Sequence, residues 1–337
     1  MSLFTGISAA ILAATALARP SPAQDARAQV PLEFETPIDK MLDIQTKRID
    51  DLLWYQKVGD LARIDKHQIA SSKPLRVSNP TAPEAGNSLV LPVYTMVPRS
   101  LAKGSKAPSL IFVHGGLHAS FDSDYAHIVR ELLEDGYVIV APEYRGSTGY
   151  GQGFHIQVDY GGAEVDDVHD ARDWAIAELP EVDPSRVGIL GWSHGGYIGL
   201  LNIFRFPDDY RACYAGVPVA DLVQRMGYKS QYYRDQFEAF LGKAAKDDPK
   251  LYLERSPAHH AAKLKTPLLI HAATNDEDVH IMEVRHLVDS LKAAGKSFEH
   301  RIYENAPGGH RFNRIDTKLA RESRAEMRAF LAKHLKK

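Results

Sequence analysis

A serine flanked by small residues stands at the end of a short apolar run. Residues 187–190 have the length of a buried strand, and they lead into G-W-S-H-G at residues 191–195 and then into a helical pattern. Such a tight strand–turn–helix strains the backbone and holds the serine hydroxyl out at the end of the strand. The pattern predicts that Ser193 is a nucleophile, with an ordinary glycine-rich turn as the alternative.

A nucleophilic serine needs a general base, and the base needs a carboxylate that fixes its tautomer. In α/β-hydrolases these residues follow in the order serine, acid, histidine, each just beyond a strand. Asp276 follows the apolar run at residues 268–270, and His310 lies in a glycine-rich loop after the last predicted strand. We therefore expect a triad of Ser193, Asp276 and His310, with Asp278 as the alternative acid. The competing histidines are expected to be structural or to line the pocket: His259, His260, His271 and His280.

Serine attack on a carbonyl creates an oxyanion, which two backbone amides must stabilise. The amide of His194 would lie at a helix N-terminus and would provide one donor. The second is expected in the His-Gly-Gly loop at residues 114–116, because its glycines let the backbone approach a substrate closely. His114 and His118 could instead be a metal pair, but no third ligand is evident there, so no metal and no other cofactor is expected.

The composition is that of an ordinary globular protein and argues against several functions. The 337 residues include 41 Lys and Arg against 43 Asp and Glu, so the chain is nearly neutral and a nucleic-acid partner is not expected. Its single cysteine, Cys213, rules out an internal disulfide and a cysteine-based metal site. Apolar neighbours predict that this cysteine is buried and unreactive.

The first 29 residues have features of an export signal. Residues 7–18 form an apolar run that is too short for a stable membrane anchor, and A-L-A at residues 16–18 has the small-x-small form of a cleavage site. The first six residues lack the usual positive charge, so a disordered N-terminus is the alternative. We expect a periplasmic or secreted protein without membrane contact after processing; a cytoplasmic location is the alternative.

A helical arm is predicted ahead of the main domain. From residue 38 to residue 70 apolar residues repeat mainly with helical spacing, and Gly59 marks a break. We expect this arm, within residues 30–87, to pack on a catalytic domain that spans residues 88–337. A lid over the site or a homodimer contact is the alternative role for the arm.

From residue 108 onward apolar strand patterns alternate with amphipathic helices. This alternation predicts an α/β fold, with a mostly parallel sheet and helices on both faces. A separate strand is predicted earlier, at residues 89–97; it contains Pro92 and is expected at a sheet edge. Residues 222–262 are expected to form a cap-like insertion. Its aromatic residues either line a substrate pocket or pack the insertion onto the domain: Tyr228, Tyr232, Tyr233, Phe237 and Phe240.

Together these motifs resemble the catalytic domain of the prolyl oligopeptidase family of serine peptidases. The resemblance covers about residues 88–335 and implies an α/β-hydrolase fold with Ser193, Asp276 and His310 as the triad. A valine three residues after the acid is typical of the family and favours Asp276 over Asp278. The matching stretches lie at residues 114–116, 143–151, 182–187, 191–196, 215–221, 256–257, 266–271, 275–279 and 309–312.

Two features distinguish the chain within that resemblance. Prolyl oligopeptidase and the dipeptidyl peptidases have an oxyanion-hole tyrosine where this chain has His114. The His-Gly-Gly sequence is more similar to the acylaminoacyl-peptidase branch, which implies Gly116 as the second oxyanion donor. The segment ahead of the hydrolase core is too short for the family's β-propeller, whose blades need about 40 residues each. We therefore expect an open site, or one covered by the arm and the insertion.

The resemblance predicts hydrolysis of a small peptide or acyl-amide through an acyl-enzyme. A carboxylesterase acting on small acyl esters is the alternative, because one triad serves both kinds of bond. A non-catalytic binding module is a more remote alternative, which the presence of all three triad residues opposes. We expect four further residues to line the substrate pocket: His114, Tyr144, Tyr150 and Tyr232.

Overall fold

The computed structural model describes residues 36–77 and 79–336. Its centre is one eight-stranded sheet in the order β1-β2-β4-β3-β5-β6-β7-β8. The strands β3 to β8 are parallel to their neighbours among themselves, whereas β1 and β2 are antiparallel additions at one side. In chain order the strands are β1 Ala62–Ala70, β2 Val90–Pro98, β3 Ala107–Val113, β4 Val138–Pro142, β5 Val182–Trp192, β6 Ala212–Gly216, β7 Leu268–Ala273 and β8 Glu299–Tyr303.

Helices cover both faces of the sheet, as predicted. They are α1 Pro37–Val58, α2 Ala126–Glu134, α3 Gln152–His155, α4 Ala163–Glu178, α5 His194–Arg205, α6 Leu222–Tyr228, α7 Gln231–Leu241, α8 Pro249–Glu254, α9 Ile281–Ala293 and α10 Lys318–Leu335. One apolar core contains residues of α1, α2 and α10, and the other contains residues of α4, α5 and α9. Strands β3 and β4 are buried at every position because both of their faces are covered.

The predicted arm is helical only as far as Gly59. Helix α1 begins with a capping box at Thr36, but residues beyond the break form β1, which pairs with β2 along its whole length. The helical prediction for residues 60–70 is therefore wrong, and the domain boundary at residue 88 does not hold, because the sheet already begins at residue 62. Burial in β1 alternates largely with a period of two, a pattern that the helical spacing just before it obscured.

Strand β2 is not at the edge of the sheet, because β1 flanks it. Pro92 is tolerated in this interior strand since the ladder with β4 spans only residues 93–96. The proline therefore lies just beyond that ladder, where a backbone N–H is not required. Its carbonyl still accepts a hydrogen bond from the amide of Glu143 at 2.9 Å.

Helix α1 exposes most of the apolar residues that suggested its packing. Its buried side chains are Lys47, Trp54 and Val58. Its exposed apolar residues are Ile38, Met41, Leu42, Ile49, Leu52 and Tyr55. The homodimer contact suggested for the arm stays a prediction.

The N-terminal signal predicted within residues 1–29 lies outside the described residues. Among residues 36–77 and 79–336, no helix is both long enough and apolar enough to span a bilayer.

The chain between β6 and β7 forms a helical insertion. It contains α6, α7, α8 and a 3₁₀ turn at Pro257–Lys263, and it spans the segment where a cap-like insertion was predicted. Phe237 of α7 and Tyr252 of α8 are buried in the same apolar core as α5. This packing attaches the insertion to the helix that begins directly after Ser193.

Candidate active site

Ser193 connects β5 to α5 in a strained backbone conformation. Its φ of 57° and ψ of −121° lie in a sparsely populated region, where the backbone conformation of a non-glycine residue costs about 1–3 kcal/mol of free energy. The surrounding structure holds it there, since its amide donates to the carbonyl of Gly216 at 2.9 Å and its carbonyl accepts from Tyr197 at 3.0 Å. A Cβ on Gly195 would lie 2.1 Å from the carbonyl oxygen of Val113, so only glycine lets α5 start this close to β3.

His310 and Asp276 form a direct hydrogen-bonded pair. The imidazole Nδ1 lies 2.8 and 2.9 Å from the two carboxylate oxygens of Asp276. That carboxylate also accepts the backbone amides of Asp278 and Val279 at 2.9 and 2.8 Å, which fixes its orientation. An ionised carboxylate can only accept, so Nδ1 carries the proton and Nε2 is left as the basic nitrogen. The alternative acid, Asp278, makes no hydrogen bond to Nδ1.

The loop that carries His310 is held by a neighbouring carboxylate. The amide of His310 donates to Oε2 of Glu277 at 3.0 Å, and this bond lowers the pKa of Glu277. Gly309 between the strand and the histidine has a φ of +48°, and a Cβ there would lie only 2.1 Å from Oε2 of Glu277. Glycine at this position therefore makes the loop conformation possible.

The imidazole of His310 also faces Asp278. Its Nε2 lies 3.8 Å from Oδ2 of Asp278, and within the described residues no hydrogen bond joins it to the Ser193 hydroxyl. Asp278 is paired with Lys229 at 2.5 Å and Arg225 at 3.3 Å. Burial alone would raise the pKa of Asp278, but these two cations outweigh burial and lower it. Hydrogen bonds between a serine and its general base are often long without substrate and tighten only in the substrate complex.

Two backbone amides accompany Ser193 in the wall of a cavity of about 210 Å³. His194 is the first residue of α5, so its amide has no carbonyl partner within the helix. The amide of Gly115 is occupied by the hydroxyl of Tyr125 at 3.1 Å. The amide of Gly116, by contrast, makes no hydrogen bond to any part of the chain that the structure describes. Gly116 and His194 therefore offer two backbone donors beside the serine.

Buried side chains support the His-Gly-Gly loop from below. The Tyr144 hydroxyl donates to the carbonyl of Gly116 at 2.8 Å, and its ring stacks on His114 with centroids 4.2 Å apart. Nε2 of His114 lies 3.0 Å from the hydroxyl of Ser147 and 3.3 Å from the carboxylate of Glu143. His114 and Tyr144 are not among the residues that line the cavity beside Ser193, so the prediction that they line the substrate pocket is wrong, and they instead position the loop.

The carboxylate of Glu143 links this support to the N-terminal helix. Lys47 of α1 lies 3.3 Å from Oε1 of Glu143 and donates to the carbonyl of Phe121 at 2.6 Å. Burial would raise the pKa of Glu143, but Lys47 and His114 outweigh it and lower the pKa to about 2. Tyr150 donates to the same carboxylate at 3.0 Å, so it too belongs to this support and not to the predicted pocket lining.

Four aromatic side chains lie in the cavity wall beside Ser193. Three of them lie on α7 at positions 233, 237 and 240, which is the i, i+4, i+7 spacing of one helical face. Tyr232 is one position off that face and is 75% exposed, so its predicted place in the pocket is wrong. The helical spacing within the insertion was the signal that could have distinguished the lining aromatic residues of α7 from the exposed Tyr232. The other lining residues are Leu117, Tyr160, Val219, Arg225, Gln236 and Asp278.

Arg225 is a pocket residue that the sequence did not suggest. It is only 2% exposed and pairs with the fully buried Glu283 at 3.0 Å, while its Nε donates to the Tyr233 hydroxyl at 2.8 Å. Burial would lower the pKa of Arg225, but its tyrosine neighbours and Glu283 raise it. It stands on a short helix without any motif, so only the folded structure shows that it reaches the site.

The histidine pair considered as metal ligands does not form a site. His114 is held by Ser147 and Glu143, and His118 stacks on His155 with centroids 3.6 Å apart. Among residues 36–77 and 79–336, a different group has metal-ligand geometry: Asp221, His259 and His286.

The mostly parallel sheet, the strained serine after β5, and an acid and histidine after β7 and β8 define an α/β-hydrolase. The prolyl oligopeptidase family model (Peptidase_S9) matches residues 123–337, and the chain belongs to this family. The family membership predicted from the sequence is thus confirmed, and on that ground the chain is a serine hydrolase.

Known relatives agree with this placement. The uncharacterized peptidase YuxL of Bacillus subtilis (strain 168) is 33% identical over 223 residues, which are 63% of this chain and 32% of that protein. The acylamino-acid-releasing enzyme of Homo sapiens is 30% identical over 202 residues, which are 58% of this chain and 28% of the enzyme. The chain therefore spans about a third or less of the length of these relatives.

A solved structure supports the fold. The acylaminoacyl peptidase of Pyrococcus horikoshii superposes with a TM-score of 0.69 at 21% identity, over 85% of this chain and 44% of that one. At this identity the likeness concerns the fold alone. It confirms the predicted α/β-hydrolase class.

Proposed function

We propose that this chain is a serine peptidase that cleaves short peptide or acyl-amide substrates through an acyl-enzyme. The observation that carries the proposal is the hydrogen bond between His310 and Asp276, which lie on the loops that follow β8 and β7. A carboxylate that fixes the imidazole tautomer serves a histidine that takes up a proton at its other nitrogen.

Each residue of the site has a role in the proposed reaction. Ser193 attacks the substrate carbonyl while Nε2 of His310 accepts the hydroxyl proton. The amides of Gly116 and His194 bind the oxyanion, and each such donor lowers the barrier by about 3 kcal/mol. His310 then protonates the leaving amine, and in the second half it activates a water that hydrolyses the acyl-serine ester.

The cavity favours a substrate with an apolar or aromatic group next to the scissile bond. Four aromatic rings line about 210 Å³ beside the serine, namely Tyr160, Tyr233, Phe237 and Phe240. The positive charge of Arg225 at the cavity is already balanced by Glu283, so among the described lining residues an anionic side chain meets no unpaired cation. The name of the acylamino-acid-releasing relative is consistent with an acylated peptide as substrate.

A substrate panel tests the proposal directly. The purified chain is assayed with acylaminoacyl and free aminoacyl p-nitroanilides and with short acyl esters, each against Ser193→Ala. Cleavage of a nitroanilide that disappears in Ser193→Ala supports a peptidase. Turnover of esters alone would replace the peptidase by a carboxylesterase. If a fluorophosphonate probe labels neither protein, the catalytic role of Ser193 is refuted and a binding module remains.

A further inference from the structure

A cluster of one aspartate and two histidines lies outside the proposed catalytic site. Asp221 caps the start of α6, His259 lies on the 3₁₀ turn Pro257–Lys263, and His286 lies on α9. One potential ligand atom from each residue lies within 4.8 Å of both others. The sequence gives no hint of this group, because its members come from three separate segments without a metal-binding motif.

We propose that Asp221, His259 and His286 form a binding site for a divalent zinc ion. Two nitrogen ligands and one carboxylate oxygen are a set that Zn²⁺ accepts readily, with a water in the fourth position. The site does not depend on the proposed peptidase activity, since none of its three residues lines the cavity beside Ser193.

The three ligand atoms already converge. Oδ2 of Asp221 lies 2.6 Å from Nδ1 of His286 and 3.6 Å from Nε2 of His259. Ligand atoms on a tetrahedral zinc ion at about 2.0–2.1 Å are separated by roughly 3.3 Å. The longer distance is close to that value, and the shorter one is a hydrogen bond that must open by less than 1 Å. The two imidazole rings meet at 76°, so they do not stack on each other.

The carboxylate is preorganised, whereas the histidines are accessible. Asp221 is 1% exposed, and its Oδ1 accepts the amides of Val223 and Gln224 at 2.9 and 3.0 Å. These bonds leave Oδ2 directed at the histidines. The side chains of His259 and His286 are 34% and 35% exposed, so an ion can enter from solvent and keep a water ligand.

The charges around the cluster suit a cation. Neutral imidazoles and one carboxylate give the three ligands a net negative charge. The neighbouring Glu283 accepts the amides of Ala220 and Asp221, and it is balanced by Arg225. Oxygen and imidazole ligands in a four-coordinate geometry favour zinc over the harder magnesium and calcium ions, which prefer oxygen alone.

A metal at this position would fasten the insertion to the main domain. Asp221 begins the insertion and His259 lies near its end, while His286 belongs to the helix after β7. The backbone already joins the first two segments, since the amide of Ala258 donates to the carbonyl of Ala220 at 3.0 Å. Zinc would therefore stabilise the insertion that carries the aromatic wall of the cavity.

Zinc titration of the whole chain tests the site. Protein stripped with a chelator is titrated calorimetrically with ZnCl₂, and the expected result is one tightly bound zinc per chain and a rise in Tm of about 5 °C. His259→Ala and His286→Ala are each expected to weaken binding by tenfold or more. Asp221→Asn should do the same, because it keeps an oxygen for the helix cap but removes the anionic ligand.

His260→Ala is the matched control, since His260 is the next residue on the same turn and bonds instead to the carbonyl of Glu254. It should bind zinc as the unmodified chain does. Circular dichroism and the metal-free Tm of each variant separate lost binding from lost folding. Co²⁺ in place of zinc should show the visible absorption of a four-coordinate site, and His286→Ala should abolish it.

Three results would overturn the zinc site. The first is zinc binding no stronger in the unmodified chain than in the double variant His259→Ala/His286→Ala. The second is an equal loss in His260→Ala, which would indicate nonspecific binding. The third is a loss caused by His310→Ala alone, which would place the metal at the proposed triad.

Discussion

Lys47 on the N-terminal helix and Glu143 beneath the His-Gly-Gly loop form a buried ion pair, with Nζ 3.3 Å from Oε1. Both side chains are almost completely excluded from solvent, and Glu143 in turn contacts His114. The N-terminal helix is thereby connected to the loop whose Gly116 amide would bind the oxyanion. In this structure α1 acts as a support behind the site and does not lie over the cavity.

Replacing Lys47 by methionine should therefore impair both stability and catalysis. The substitution keeps the apolar stem but leaves a buried carboxylate unpaired, which destabilises the fold by about 3–5 kcal/mol. We expect a lower kcat with a smaller change in KM, because the oxyanion loop loses its support. Lys40→Met on the exposed face of the same helix is the control, measured by urea unfolding and steady-state kinetics. Equal effects of the two variants would refute the supporting role.

The Glu143 carboxylate should make stability depend on pH. Its folded pKa of about 2 lies below its ordinary value of about 4.3. Because the folded value is the lower one, the stabilisation is fully present above about pH 5 and is lost as the pH falls toward 2. When the pH falls from 6 to 3, the unfolding free energy of the unmodified chain should decrease by about 2 kcal/mol more than that of the double variant Lys47→Met/Glu143→Gln. Urea unfolding at both pH values measures this, and identical losses would contradict it.

The acid of the proposed triad can be identified by two matched substitutions. Asp276→Asn should lower kcat by about 10⁴-fold, because an amide at this position no longer enforces the productive imidazole tautomer. Asp278→Asn should have a much smaller effect, since its carboxylate reaches only Nε2 and at 3.8 Å. Rates with the best substrate of the panel measure both. A larger loss in Asp278→Asn would reverse the assignment.

The aromatic wall of the cavity should determine substrate preference. Phe240→Ala removes part of the apolar surface of the cavity, so KM for a substrate with a bulky apolar group should rise about tenfold while kcat changes little. Tyr232→Ala on the same helix should leave both constants unchanged, because that side chain is 75% exposed and lies off the cavity. Kinetics with small and bulky substrates test the difference. Equal KM values for Phe240→Ala and the unmodified chain would exclude a role in binding.

The sequence predicted those parts of the molecule that depend on local pattern. The elbow at Ser193 and the Asp276–His310 pair follow from strand endings and glycine-rich loops, which are local features of the chain. The identity of β1 was missed, because its period-two burial continues directly from a helix and its partner β2 lies farther along the chain. Arg225 and the Lys47–Glu143 pair were missed because their contacts join residues far apart in the chain. No spacing pattern in the sequence indicates such long-range contacts.

The lining prediction failed for a related physical reason. Lining roles were predicted for Tyr144, Tyr150 and Tyr232, but their positions on the elements place two of them beneath the loop and one on the surface. Burial depends on which face of a helix or turn a side chain occupies. On α7 a shift of one residue, from Tyr233 to Tyr232, moves the side chain from the cavity wall to the solvent-exposed face.

Gly309 provides a final test of how His310 is positioned. A methyl group there would lie 2.1 Å from Oε2 of Glu277, and the φ of +48° is itself unfavourable for alanine. Gly309→Ala should therefore displace the histidine loop and lower kcat strongly, with a loss of about 1–3 kcal/mol in unfolding free energy. Glu277→Ala removes the carboxylate that accepts the His310 amide, so it should also lower kcat. An unchanged kcat in Glu277→Ala would show that the contact with Glu277 does not position His310.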